Sequence, residues 1–141
     1  VLHLHGELTK VRPEQGHYDR NYSTDQVIDV GYAPVVLGDL APNGSQLRPH
    51  IVFFGEAVPN IEKAADLVQK ADILLIVGTS MQVYPAAGLY RYAGAEVPIY
   101  IIDPADVPVW DNRITHIRKV ATAGMEEFVK TVGVYGTNRR S

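Results

Sequence analysis

His5 stands beside Gly6 at the end of an alternating apolar and polar stretch, where an imidazole is either a proton-transfer group or a satisfied structural residue. Gly78-Thr79-Ser80 follows five consecutive aliphatic residues, Ile73 to Val77. There a glycine lets a ligand approach the backbone and two hydroxyls offer hydrogen bonds at a strand's carboxyl end. The same tripeptide also reads as a plain strand-to-helix turn. Asp103 closes another apolar run, and either accepts hydrogen bonds from ribose hydroxyls or shapes the turn before Pro104. Gly55 and Glu56 end a third run, Ile51-Val52-Phe53-Phe54. His17 and His50 find no cysteine to complete a tetrahedral set, so no metal site is expected, and Asp19, Asp25 and Asp29 read as a solvated face.

These groups need strands and helices to carry them. The run at 73–77 has no polar face, which predicts a central parallel strand covered on both sides. Alternation predicts a strand over 1–5, and a second over 7–12 closed by Pro13. A buried strand is expected over 47–56. Pro59 and Asn60 open a helix carrying Ile61, Ala64, Ala65, Leu67, Val68 and Ala71 at helical spacing. A second helix starts near Pro85. A covered strand follows over 97–104 and a last short strand is expected over 114–120. A closing helix over 124–132 carries Met125, Phe128, Val129 and Val132 on one stripe and stops at Gly133. Strands alternating with helices imply an α/β fold with a doubly wound parallel sheet. No G-x-G-x-x-G loop occurs, so the chain reads as starting several elements into such a fold. Residues 13–46 are a polar, turn-rich excursion with two short apolar patches, Val27-Ile28 and Val35-Val36-Leu37. The expected parts are a strand region over 1–12, a small inserted module over 13–46, a Rossmann-like portion over 47–132 and a loose tail over 133–141.

With 141 residues, 46% of them hydrophobic, the chain suits one domain with a real core. A net charge of −3 offers no basic footprint for nucleic acid and no polybasic membrane patch. No apolar run approaches the roughly 20 residues that span a bilayer, and no signal-peptide pattern opens the chain. A cytoplasmic protein is therefore expected. The absence of cysteine excludes disulfides and thiolate zinc sites. The start at Val1, already inside an apparent strand, suggests a piece of something longer.

His5-Gly6-Glu7-Leu8, the segment 47–56 reading Leu-Arg-Pro-His-Ile-Val-Phe-Phe-Gly-Glu, and Gly78-Thr79-Ser80 running into Val83-Tyr84-Pro85-Ala86-Ala87 resemble the sirtuins, most closely their bacterial branch. The likeness spans nearly the whole chain but only the latter, C-terminal part of a sirtuin. It implies NAD-dependent removal of acyl groups from protein lysines, with release of nicotinamide and O-acyl-ADP-ribose. His5 then matches the general base that takes a proton from the nicotinamide ribose, a task an imidazole suits because its pKa lies near working pH. Gly78, Thr79 and Ser80 match the loop that holds the cofactor, and Ala121 a backbone position near the adenine. Asp103 falls where sirtuins generally keep an asparagine against the adenosine ribose, so an acceptor is kept and a donor lost. Val52, Phe54, Gly55 and Glu56, with Val83 and Tyr84, match the two segments that clamp an acyl-lysine peptide as an added strand.

Two departures from the family stand out. Sirtuins usually carry four zinc-binding cysteines in the inserted module, and this chain has none, so NAD but no zinc is expected. The module must then hold itself with Val27, Ile28, Tyr32, Val35, Val36 and Leu37, and should be mobile. The first nucleotide-binding half of the family is also absent, so the expected partners are an acylated protein or peptide and a missing N-terminal half of the same chain. A binding module that senses NAD or ADP-ribose without turnover, or an inactive truncated sirtuin, is the alternative.

Overall fold

Gly6 begins the first sheet at φ +95, and a side chain on it would run into the His50 carbonyl oxygen. Only glycine fits this approach. The computed structural model describes residues 1–14, 26–79, 81–108 and 111–137. The chain forms two compact units, Val1–Glu62 and Lys63–Ser141. In the first, β1 (Gly6–Pro13) lies between β2 (Ile28–Asp29) and β3 (Leu47–Ile51), antiparallel to both. The register shifts between the pairs Glu7–His50 and Val11–Pro49, so β1 bulges there and leaves Leu8 exposed. Pro49 is tolerated because β3 is an outer strand.

Three expectations for this unit change. Residues 1–5 form no strand, although the His5 carbonyl accepts the Val52 N–H at 3.0 Å. The strand expected over 47–56 ends at Ile51, because Gly55 at φ +85 closes a turn in which Glu56 N–H reaches the Phe53 carbonyl at 3.1 Å. Phe54 at the tip of that turn is 97% exposed. The segment 26–46 is not held by its apolar patches, since Tyr32, Val36 and Leu37 are exposed. The Gln46 amide holds it instead: its oxygen accepts Gly38 N–H at 2.7 Å, and its nitrogen donates to the carbonyls of Asp39 and Leu47 at 3.0 Å each and of Val36 at 3.3 Å. A stretch this short cannot enclose a core, so hydrogen bonds to backbone groups replace one.

The second unit begins within α1 (Ile61–Gln69), whose first two residues close the first. Its sheet is parallel, in the order β4 (Leu74–Val77), β5 (Ile99–Ile102), β6 (Ile114–Ile117). A 3₁₀ helix, Ala86–Tyr92, stands where a second α-helix was expected. Met81, Ala87, Tyr90 and Ala93 pack with Ile99 on one face of the sheet; Met125, Phe128 and Val132 of α2 (Ala121–Thr137) pack with Tyr100, Ile102 and Ile117 on the other. Strands parallel and helices on both faces make this unit Rossmann-like.

The middle strand is β5, not the expected 73–77 run: Ile99 and Ile101 are 0% exposed, whereas β4 is half-buried and Val77 exposed. Burial follows pairing, and β4 pairs on one side only among the described residues. The closing helix is longer than expected and passes through Gly133 to Thr137, so the tail does not begin at 133. A glycine inside a helix costs about 1 kcal/mol, which the packing of Met125, Phe128 and Val132 outweighs. Val129, expected on the buried stripe, is exposed. Gly124 is buried, and a Cβ there would collide with the Ile102 side chain, so the missing side chain lets α2 close on β5.

Candidate functional site

In the second unit, Val77, Ile102 and Ile117 stand in register at the carboxyl ends of three parallel strands. Gly78 N–H continues the ladder to the Ile102 carbonyl at 2.9 Å, and Asp103 N–H to that of Ile117 at 3.3 Å. Gly78, Thr79 and Asp103 therefore come together at one edge, and Ala121, four residues past β6, opens α2 beside it. Ser80 lies outside the described residues. Gly78 has φ +64 and open space where a Cβ would stand, which leaves its backbone open to close approach. The Thr79 hydroxyl accepts Met81 N–H at 3.2 Å and holds Met81 buried at φ 54, a left-handed conformation rare for methionine.

Asp103 serves the turn and leaves an oxygen over. Its Oδ1 accepts Ala105 N–H at 2.8 Å, while its backbone carbonyl sits 3.0 Å from His116 Nε2. An exposed glycine that leaves room for close approach and a carboxylate that offers an acceptor to a ribose hydroxyl stand on adjacent strand ends, at the edge where open parallel sheets bind nucleotides. The residues fit NAD. Val83 and Tyr84 are exposed just ahead of the 3₁₀ helix, with the Val83 carbonyl accepting Ala87 N–H at 2.8 Å.

In the first unit, the His5 imidazole is exposed while its carbonyl is tied to Val52, which brings these two expected site residues side by side. Phe54 and Gly55 form the exposed turn that follows. Glu56 does not point its carboxylate at solvent. Its Oε1 accepts Arg48 Nη1 at 2.6 Å, and its Oε2 accepts Phe53 N–H at 2.9 Å and the Nη2 groups of Arg48 and Arg12 at 3.3 Å each. Arg12 and Arg48 face each other across β1 and β3, each 7% exposed, so the carboxylate separates two buried like charges. Burial pushes the Glu56 carboxyl up, but the Arg48 hydrogen bond, the Phe53 N–H and the charges of Arg48 and Arg12 together hold it below its ordinary value. Burial, then the charge of Arg12, lowers His50.

A cavity of about 810 Å³ lies in the second unit beside β5 and β6, and its charged lining is engaged with the chain: Arg118 with Asp106 at 2.5 Å, Asp111 with Arg113 at 2.6 Å. The side-chain hydrogen bond from Arg113, then its backbone N–H, holds Asp111 down to about 2. A carboxyl with a lowered folded pKa stabilises the fold fully above its ordinary value and loses that contribution as pH falls through the lowered one. The thermal midpoint should therefore fall on acidification from about pH 4.5, with Glu56 and then Asp111 being protonated. In Asp111→Asn the lower end of that limb, between 3.8 and about 2, should be shallower. A melting series from pH 6 to pH 2 checks this, and identical limbs would refute it.

Sequence reasoning missed Arg12, Arg48 and Met81. The arginines carried a weak signal, since each stands directly beside an apolar residue, Val11 or Leu47, within a strand, and a charge buried there must find a partner. Met81 left no signal, because a left-handed methionine is set by the turn around it. Among the described residues no group of three or more His, Asp or Glu is placed to hold a metal, and the Gln46-knit segment has no thiolate with which to bind zinc. His17, Asp19 and Asp25 lie outside the described residues.

The model of the Sir2 family matches residues 1–85. An NAD-dependent protein deacylase of Bacteroides thetaiotaomicron is 48% identical over 128 residues, which is 90% of this chain and 54% of the relative. One from Helicobacter pylori is 52% identical over 104 residues, 74% of this chain and 42% of the relative. The chain thus spans about half the length of these curated relatives. A crystal structure of a Sir2 homolog–NAD complex superposes with a TM-score of 0.70 at 31% identity, over 94% of this chain and 51% of that one.

Proposed function

The chain belongs to the Sir2 family, and on that premise we propose that the protein removes acyl groups from lysine side chains of proteins in an NAD-dependent reaction. The observation that carries the reading is His5: its main chain is anchored to Val52 while its imidazole stays exposed, as a residue that must accept and return a proton requires. NAD, when bound, supplies the ribose that receives the acyl group, with nicotinamide as the leaving group.

The chain's own groups divide the remaining work. A ring nitrogen of His5 takes the proton from the ribose hydroxyl. The open backbone at Gly78, with Thr79 and Ser80, holds the cofactor's ribose and phosphate region, and the free oxygen of Asp103 accepts an adenosine ribose hydroxyl. The relative solved with NAD supports this assignment. Val52, Phe54 and Gly55 offer backbone groups to an extended acyl-lysine peptide, and Val83 and Tyr84 match the second segment to which the family resemblance gives that task. Residues 13–46 are the family's small module without its zinc.

Incubation with NAD and an acetyl-lysine peptide tests the proposal. Nicotinamide should be released in a 1:1 ratio to deacylated peptide. Binding of ADP-ribose with no nicotinamide release would instead establish a sensor.

A further inference from the structure

Glu56 matches a peptide-clamping residue of the family, yet its carboxylate is consumed inside the first unit. Both oxygens are bonded, three of the four bonds come from Arg12 and Arg48, and the fourth closes the turn onto Phe53 N–H. Arg48 also donates to the Ile51 carbonyl at 3.4 Å, stacks 4.3 Å from the centre of the Phe53 ring and pairs with Glu14 at 3.4 Å. One guanidinium therefore touches β3, the turn that follows it and the start of the segment after β1.

We infer that Arg12, Arg48 and Glu56 are positioning residues, a buried clamp that sets the Phe53–Glu56 turn against the strand pair β1–β3, which His5 immediately precedes. The inference rests on the deacylase reading and names what aligns its peptide segment. The turn is fastened at two ends. Val52 N–H is tied to the His5 carbonyl at one, and Glu56 to the two arginines at the other. Between them Phe54 and Gly55 are exposed. Without the clamp, the turn would keep the Val52 bond and the Glu56 N–H to Phe53 carbonyl bond, while its tip at Phe54 is exposed.

A buried ion cluster is a poor source of net stability compared with apolar packing. It does fix geometry, since a bidentate guanidinium accepts a carboxylate in few orientations. Arg12 and Arg48 are too buried to touch a peptide, so any effect of theirs on peptide binding must pass through the turn.

The test replaces Arg12 and, separately, Arg48 by methionine in the intact protein; should Arg48→Met fail to fold, Arg12→Met, which leaves the bonds from Arg48 to Glu56 in place, carries the test. Hydrogen exchange at the Phe53 and Glu56 amides should speed up about tenfold, the scale of one lost charge-assisted bond. KM for an acetyl-lysine peptide should rise about tenfold on the same scale, while KM for NAD stays at the wild-type value. A merely structural role would lower kcat with the folded fraction and leave both KM values alone. Unchanged exchange overturns the clamp; faster exchange with unchanged peptide KM overturns its positioning role. A wild-type protein that binds no peptide overturns the deacylase reading and the positioning role with it, and the exchange result then stands as a fact of the fold.

Discussion

His5→Ala should lower kcat for the proposed deacylation by about 10²–10⁴-fold, the usual contribution of a positioned general base. The affinity for ADP-ribose stays in place. The substitution is clean because the strand-like bond to Val52 uses the His5 main chain, which alanine keeps, and the imidazole itself is exposed. A truncated ring at an exposed position opens no cavity. Nicotinamide release and ADP-ribose titration on the same preparation read the two quantities, and turnover at the wild-type rate would remove His5 from the mechanism.

Gly6→Ala, one residue away, acts through the fold. Its φ of +95 is forbidding for alanine, and the added methyl has no room: beyond the colliding carbonyl oxygen, the His50 carbonyl carbon lies at 2.8 Å and Ile51 Cα at 2.9 Å. These are backbone atoms, so no side-chain rotation relieves the contact. Left-handed strain and overpacking each cost about 1–3 kcal/mol, and the pairings Gly6–Ile51 and Glu7–His50 at the start of the β1–β3 ladder should open. Thermal unfolding of Gly6→Ala against the parent measures the loss. Activity should fall with it, since the same ladder leads into the His5–Val52 bond; a midpoint equal to that of the parent would show that β1 sits on β3 differently.

Much of this was legible in the residues. The aliphatic runs at 73–77 and 97–102 had no polar face and read as strands, and their alternation with apolar stripes at helical spacing pointed to parallel pairing. The strand ends were legible too, because Gly78 and Asp103 break the runs where side-chain chemistry changes. His5, the 47–56 segment and Gly78-Thr79-Ser80 were enough to recognise the Sir2 family, since these motifs are local strings whose order needs no coordinates.

Other features depended on what lies far away in the chain. Whether the 73–77 run or 99–102 is central is a matter of which strands flank each, and periodicity within one strand carries no information about its neighbours. The length of α2 was set by Tyr100, Ile102 and Ile117 supplying a surface long enough to outweigh Gly133. The segment 26–46 reads as apolar patches, but its organiser is a single polar residue, Gln46, whose four bonds reach across ten positions. Glu56 shows the division most sharply. Its type and place mark it as part of a peptide-binding motif, whereas the direction of its carboxylate depends on Arg12, 44 residues earlier, being brought opposite Arg48 by the pairing of β1 with β3. Local residue order determines which segments can be strands, turns and motifs; only tertiary pairing decides which charges meet, because a buried charge takes its partner from whatever the fold places within hydrogen-bond reach.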